Sequence, residues 1–173
     1  MQSGLRAARG CAAGGGRGYH GSAHDCVLYV TDSGLKPDFS SSGTDAVYRF
    51  DGNRAVAVVR DTALGRPNGL AVVPDGVIIV PFGSKNVQRA PATGGAAATV
   101  VTMPAGQLDG VVRPADGSLL VSSWETNTVY HVDPQNQVHA ILPSPADIGY
   151  DARRNRVLIP LFNENRVEIR PVR

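Results

Sequence analysis

The stretch NGLAVVPDGVIIVPFGSKNVQRAP (68–91) recurs in outline at 109–133 and again at 147–171. Each copy opens with a short apolar strand, turns at a connection rich in Gly, Asp or Asn, and continues into a stronger strand: VIIVPF (77–82), LLVSSW (119–124) and VLIPLF (157–162). A third strand then follows in each copy: VQRAP (87–91), VYHVD (129–133) and VEIRP (167–171). Apolar residues alternate at period two and Pro or Gly punctuates every copy, so the pattern predicts antiparallel strands and excludes repeated helix pairs.

An earlier unit, VLYVTD (27–32) followed by VYRFD (47–51), carries the same pattern with an insertion at 35–44. The strands that begin at residues 47, 87, 129 and 167 start 40, 42 and 38 residues apart. A closing strand fits three units, at 55–61, 97–103 and 138–143. Four strands in a period of about 40 residues are typical of a propeller blade. The prediction is an all-β, partial β-propeller of about three and a half to four blades; a β-sandwich is the alternative, but it needs no equal spacing.

The chain divides into two regions by composition. Residues 1–26 contain seven glycines and no alternating apolar pattern, so we expect an irregular or disordered segment there, with the blades occupying residues 27–173. The last unit stops after its third strand, and two explanations compete. The chain is the C-terminal part of a longer propeller, which we favour, or it closes by oligomerising, because an open propeller exposes a sheet edge and an apolar face.

Composition narrows the classes of partner. Hydrophobic residues make up 42% of the 173 residues and charged residues 18%, which suits a packed core. The 17 basic residues are scattered and nearly balanced by 15 acidic ones, so we expect no nucleic-acid partner. No apolar run approaches the length of a membrane span, so we expect a soluble protein with no membrane partner. No intact signal peptide is visible, and a cytoplasmic or an exported location stays open.

Polar residues recur at one phase of the repeat, where each inner strand begins. These positions are Asn68-Gly69, Asp109-Gly110 and Asp147-Ile148, which lie 41 and 38 residues apart. Inner strands of a propeller start at one mouth of the channel, so Asn68, Asp109 and Asp147 are expected to converge there. Their oxygens suit a divalent cation such as Ca²⁺, Mg²⁺ or Mn²⁺, with Zn²⁺ a further candidate. The alternative is structural, because Asn-Gly and Asp-Gly are also common turn pairs.

The segments GRPNGLAVVPDG (65–76), LDGVVRPADGSLLVSSW (108–124) and ADIGYDARRNRVLIP (146–160) resemble the gluconolactonase, senescence marker protein (regucalcin) and luciferin-regenerating enzyme family. The resemblance covers residues 27–173 and implies the later blades of a six-bladed propeller. It implies that Asn68 and Asp109 are metal ligands, and that Asp109 is also the base that activates water against a lactone carbonyl. The family takes a further ligand, a Glu, from its first blade, whereas the first Glu here is Glu125.

Other residues near the expected mouth are candidates for contact with substrate. Trp124 and Ser123 end a strand there, although Trp124 also suits packing between blades. His20 lies near the expected start of the first inner strand. Together these features favour a metal-dependent hydrolase of lactone or ester substrates, with a small lactone or sugar-like substrate and with the activity of this chain left open by the missing Glu. The rivals are a non-enzymatic propeller of the NHL-repeat type, which binds a ligand or partner at the channel face, and a decayed fragment without function.

Overall fold

The structure, a computed structural model, describes residues 5–11, 26–143 and 146–172, and for residues 5–11 and 26 it describes the backbone alone. Within these residues the chain forms four antiparallel sheets. The first contains β1 (Leu5–Cys11), β2 (Cys26–Asp32), β3 (Ala46–Asp51) and β4 (Arg54–Arg60). The second contains β5 (Pro67–Val73), β6 (Gly76–Pro81), β7 (Asn86–Pro91) and β8 (Ala98–Thr102). The third contains β9 (Leu108–Val112), β10 (Leu119–Ser123), β11 (Thr128–Val132) and β12 (Val138–Pro143). The fourth contains β13 (Gly149–Asp151), β14 (Arg156–Leu161) and β15 (Arg166–Pro171).

The sheets are successive blades of a partial β-propeller. Each sheet pairs its strands in chain order, and the first strands of the sheets lie beside one another, β1 against β5, β5 against β9 and β9 against β13. The first strands therefore line the channel and the later strands lie outside them. Two single-turn 3₁₀ helices, Thr62–Leu64 and Phe162–Glu164, interrupt the connections. In the described part of the chain, neither has the length or apolarity to cross a membrane. The predicted all-β propeller is confirmed.

The first blade differs from the expectation for residues 1–26. Its inner strand is β1, Leu5–Cys11, which pairs with β2 from Leu5 opposite Asp32 to Cys11 opposite Cys26. The sequence LRAARGC lacks the period-two alternation of the other strands, so the pattern gave no signal for it. The expected inner-strand start near His20 is wrong, because the strand begins at Leu5; His20 itself lies outside the described residues.

Alternating side chains on the central strands build the core between blades. On β6, Val77 and Ile79 pack toward the first blade, whereas Ile78 and Val80 pack toward the third, and none of the four is more than 5% exposed. The continuous apolar run in VIIV is therefore a strand covered on both faces. Each such side chain contributes roughly 1.5–3 kcal/mol by leaving water.

Four valines occupy one position of the repeat, the second residue of the third strand in each blade. They are Val47, Val87, Val129 and Val167. The first three are 0% exposed and pack against the following blade, whereas Val167 is 60% exposed. The same residue type at one repeat position thus has two environments within a single chain.

Because the two valines differ in burial, the same Val→Ala substitution is expected to lower the free energy of unfolding by different amounts at the two positions. Val129→Ala removes two buried methyl groups and leaves a cavity, so we expect it to lower the free energy of unfolding by about 2–3 kcal/mol. Val167→Ala is the matched control and loses only strand propensity, less than about 1 kcal/mol. Urea unfolding of both variants measures the difference. Equal losses would contradict the exposure of Val167 in solution.

Candidate functional site

Asn68 and Asp109 meet at the starts of neighbouring inner strands. Asn68 lies at the start of β5 and Asp109 at the start of β9. The side-chain Nδ2 of Asn68 donates a hydrogen bond to Oδ1 of Asp109 over 2.8 Å, although 41 residues separate them in sequence. The repeat spacing correctly predicted that these two side chains are neighbours.

Glycine makes this approach sterically feasible. A Cβ on Gly69 would overlap the backbone oxygen of Asp109 and lie 3.1 Å from the Cα of Gly110. A Cβ on Gly110 would overlap Oδ1 of Asp147 and lie 2.5 Å from the backbone nitrogen of Ile148. The second, third and fourth inner strands therefore touch backbone to backbone, with a glycine in each contact.

Side-chain N–H groups from two neighbouring residues donate to Asp109. Nδ2 of Asn68 donates to Oδ1, and the indole Nε1 of Trp124 donates to Oδ2 over 2.8 Å. Only 4% of Asp109 is exposed. Hydrogen bonds to an ionised acceptor are stronger than those between neutral groups, so this buried carboxylate is fixed in orientation by its neighbours. Trp124 was predicted to stack on substrate or to pack between blades, and its bond to Asp109 is a role that the sequence did not indicate.

Hydroxyl groups anchor the inner strands to the strands beside them. Oγ1 of Thr31 donates to the backbone oxygen of Asn68 over 2.8 Å, and Oγ of Ser33 donates to that of Pro67 over 2.9 Å. In the third blade, Oγ of Ser122 accepts from the backbone N–H of Gly110 over 2.8 Å. Thr31 was not recognised from sequence. The signal was its repeat position, since Thr31 and Ser122 both lie opposite the equivalent valines, Val47 and Val129.

The remaining predicted residues lie nearby in different roles. Asp147 adjoins Gly110, and its Oδ1 accepts from the backbone N–H of Ile148 over 2.8 Å. This bond directs one carboxylate oxygen to its own strand start. Ser123 is 0% exposed, and its Oγ donates to the backbone oxygen of Gly106 over 2.7 Å. That arrangement favours a structural role for Ser123.

Aromatic residues follow the second strand of three blades at one repeat position. Phe82, Trp124 and Phe162 lie 42 and 38 residues apart in sequence, and we name them the aromatic arc. The rings of Trp124 and Phe162 meet edge to face, with centroids 5.7 Å apart and planes at 68°. Phe162 is 65% exposed and Phe82 is 38% exposed. The sequence analysis overlooked both phenylalanines, although the matching strand ends VIIVPF, LLVSSW and VLIPLF carried the signal.

The side chains at the channel mouth carry oxygen atoms of the type that hard divalent cations bind. Asn68 and Asp109 bring an amide and a carboxylate within hydrogen-bond distance, and rotation of the amide by 180° would turn its oxygen toward the carboxylate. Such ligands suit Ca²⁺, Mg²⁺ or Mn²⁺, whereas Zn²⁺ prefers the nitrogen and sulfur donors of His and Cys. No cluster of three or more His, Cys, Asp or Glu side chains with metal-binding geometry occurs in the described ranges. Asn68 and Asp109 are thus oxygen donors of a suitable kind, without a cluster of acidic side chains around them in the part of the chain that the structure describes.

Solved structures with this fold include enzymes and binding proteins. A gluconolactonase from Xanthomonas campestris is 25% identical, with a TM-score of 0.62, over 79% of this chain and 51% of that one. A calcium-binding regucalcin from Agrobacterium tumefaciens is 18% identical, with a TM-score of 0.60, over 78% and 48% of the two chains. A chain of a nidogen–laminin complex is 17% identical, with a TM-score of 0.60, over 73% and 54%.

These similarities define the class at the level of the fold. The chain is a propeller of the kind found in gluconolactonases and regucalcin, and it spans about half the length of the solved chains it matches. No protein-family model matches the sequence, and no match was found among curated proteins.

The contacts between inner strands predict the effect of adding one methyl group. Gly69→Ala places a Cβ against the backbone of Asp109, which cannot move without shifting β9, so we expect a loss of about 1–3 kcal/mol in the free energy of unfolding. Gly149→Ala is the matched control, because its Cβ would lie 3.6 Å from Leu158 in ordinary contact. We expect that control to change stability by less than about 1 kcal/mol. Thermal unfolding monitored by circular dichroism compares them, and a Gly69→Ala variant as stable as the control would refute the close packing.

Proposed function

We propose that this chain forms the catalytic mouth of a gluconolactonase-like hydrolase, which opens lactone or ester substrates with the help of a divalent cation. The observation that supports this proposal most directly is the Asn68–Asp109 pair, held at adjacent inner-strand starts by a 2.8 Å hydrogen bond. The fold shared with a gluconolactonase over most of this chain supports the same reaction class.

Asp109 is the proposed general base. Asn68 and Trp124 each donate one N–H to this carboxylate, and in the proposed reaction the attacking water is bound at the same group. A water molecule bound there gives its proton to Asp109 as it attacks the substrate carbonyl, a role that contributes about 10²–10⁴-fold to rate. The two N–H donors hold the carboxylate in one orientation, which fixes the direction of proton transfer.

Asn68 and Asp109 are the proposed cation ligands, with Asp147 as a further ligand from the neighbouring strand start. When bound there, a divalent cation supplies Lewis-acid polarisation of the ester carbonyl. Their oxygen chemistry favours Ca²⁺, Mg²⁺ or Mn²⁺. The backbone contact between Gly110 and the start of the fourth blade brings Asp147 toward the other two residues.

The aromatic arc is the proposed binding surface for the substrate ring. Trp124 lies beside the base through its indole N–H, and Phe162 meets Trp124 edge to face. Aromatic faces pack against the C–H face of a sugar-like ring while its hydroxyls stay in water. The site thus favours a small cyclic ester with one apolar face.

A second candidate is a non-enzymatic propeller that binds a ligand or partner at the channel face. Both oxygens of Asp109 already accept N–H donors from the protein, so this carboxylate is satisfied without any added group. The likeness to a chain of a nidogen–laminin complex extends to the fold alone. Under this alternative, Asp109 is a structural link between the second and third blades.

Lactone hydrolysis separates the two candidates. With gluconolactone as substrate, we expect turnover that a chelator abolishes and that Ca²⁺, Mg²⁺ or Mn²⁺ restores. Asp109→Asn keeps the shape of the side chain but removes the base, so kcat/KM should fall by roughly 100-fold or more. A pH-stat assay measures the acid released.

Asp116→Asn is the matched control for that variant. Asp116 lies in the turn at the opposite end of the same β9–β10 hairpin, where hydrogen bonds from the side chain and backbone of Ser118 lower its pKa. We expect this control to retain full activity. Hydrolysis that persists in Asp109→Asn would exclude Asp109 as the base, and absence of cation-dependent hydrolysis in the parent protein would favour the binding role.

Substitution of Phe162 tests whether the aromatic arc binds the substrate, because this ring contacts Trp124, which in turn donates to Asp109. Phe162→Ala removes a ring that is 65% exposed, so stability should change little. Loss of one aromatic contact is expected to raise KM about three- to tenfold, with kcat nearly unchanged. A lower kcat at constant KM would instead mean that Phe162 acts on catalysis through Trp124.

A further inference from the structure

The two cysteines of the chain lie directly opposite each other across the first two strands of the first blade. In the antiparallel pairing of β1 with β2, Cys11 is the Cα partner of Cys26, and the register continues from there without a bulge to Leu5 opposite Asp32. The 173 residues contain no other cysteine. One strand pair therefore brings together the only two cysteines of the sequence.

The backbone spacing of such a pair suits a disulfide bond. Residues directly opposite in an antiparallel ladder have Cα atoms about 4.5 Å or about 5.5 Å apart, according to the type of pair. Disulfide bonds join residues whose Cα atoms lie about 4.4–6.8 Å apart. Both types of pair fall within this range, so the register of β1 and β2 is compatible with a bond between Cys11 and Cys26.

The first blade has the longest connection between its inner strand and the strand beside it. Fourteen residues separate β1 from β2, whereas two separate β5 from β6, six separate β9 from β10 and four separate β13 from β14. The entropy lost when a chain closes a loop rises with the length of the loop. A cross-link at Cys11 and Cys26 would remove that entropy from the unfolded state, so a disulfide stabilises the first blade more than it would the others.

The composition of β1 gives the same strand a second reason to be cross-linked. Its sequence, LRAARGC, has one leucine and two alanines, whereas the inner strand of the second blade, PNGLAVV, has a leucine, an alanine and two valines. Alanine offers less apolar surface for burial than valine does. Strand β1 therefore has less apolar surface than β5 with which to hold its place in the blade.

We propose that Cys11 and Cys26 form an intramolecular disulfide bond, which fastens the inner strand of the first blade to β2. With oxidised glutathione as the oxidant, the thiolate of one cysteine attacks the glutathione disulfide, forms a mixed disulfide and releases one reduced glutathione. The thiolate of the other cysteine then attacks the protein sulfur of that mixed disulfide and releases a second reduced glutathione. The two cysteines lose two electrons and two protons, and the two glutathione thiols take up both.

The proposed bond lies at the end of the β1–β2 pair that is far from the channel mouth. Thr31, whose hydroxyl donates to the backbone oxygen of Asn68, lies on β2 five residues after Cys26. Five residues of extended strand span about 17 Å. The disulfide is therefore a structural modification that is independent of the proposed hydrolase chemistry at Asn68 and Asp109.

A redox titration of the full chain tests the proposal. The protein is equilibrated at pH 8 with mixtures of oxidised and reduced glutathione, the exchange is stopped with acid, and the intact mass is measured. We expect the folded chain to lose two hydrogen atoms, with no glutathione attached and no dimer on a non-reducing gel. Trypsin should then release residues 10–17 joined to residues 18–49, because it cleaves after Arg9, Arg17 and Arg49.

The same titration in urea separates placement by the fold from the flexibility of the chain. Two cysteines separated by fourteen residues also form some disulfide in an unfolded chain. If the strand register holds them opposite each other, the equilibrium constant for forming the bond should be about tenfold or more larger in the folded chain than in urea. This ratio is measured on the unmodified protein alone.

Moving one cysteine by a single register position provides the matched control. The double variant Gly10→Cys with Cys11→Ala places the cysteine opposite Val27 instead of Cys26 and lengthens the loop by one residue only. Its equilibrium constant in the folded state should fall to about the value found in urea, because successive residues of a strand point to opposite faces of the sheet.

Four results would overturn the proposal. The folded parent chain could keep both thiols or take up glutathione, the bond could form between two chains, the equilibrium constants in buffer and in urea could be equal, or the shifted variant could form the bond as readily as the parent. The comparison of the folded with the unfolded parent chain decides the matter even where the variant does not fold.

Discussion

The site depends on the direct backbone contact between the starts of neighbouring inner strands. Gly69 against Asp109 and Gly110 against Asp147 leave no room for a Cβ, so side chains attached beside these glycines are brought within hydrogen-bond distance. The core between blades enforces that approach, because side chains from both faces of strands such as β6 interlock with the blades on either side. Apolar burial far from the mouth therefore positions two polar groups at it.

Much of this arrangement could be predicted, because residues one repeat apart in the sequence lie next to each other in neighbouring blades. Period-two alternation located the strands of residues 27–173, and a 41-residue spacing placed Asn68 beside Asp109. The sequence did not predict strand β1, because the small and charged residues of LRAARGC pair through their backbone without an alternating apolar pattern. The sequence analysis also missed three residues near the mouth, Thr31, Phe82 and Phe162. Hydroxyl and aromatic residues at strand ends have many roles, and these three are recognised only when the same repeat position is compared between blades.

Trp124 shows why side-chain roles resist sequence reasoning more than strand positions do. A tryptophan beside a channel suits stacking or packing, and both follow from its ring. In the structure its N–H also holds Oδ2 of Asp109 while its ring edge meets Phe162. One residue thus links the carboxylate of the third blade to an exposed ring of the fourth. Neither contact is encoded by local pattern, since each depends on the angle between two blades.

Equivalent positions of the repeat carry different residue types where the third and fourth blades are compared. Tyr130 and Val132 face the preceding blade and are at most 7% exposed, whereas Glu168 and Arg170 occupy the equivalent positions of the fourth blade. Burying these charges between blades would be costly, and in the structure Glu168 and Arg170 pair with each other along β15, beside a cavity lined by residues of the third and fourth blades. Arg166 joins the same carboxylate, which gives β15 a row of alternating charges. Charges along the outer strand of this sheet also disfavour pairing with a foreign strand, so the row of charges on β15 protects the sheet edge.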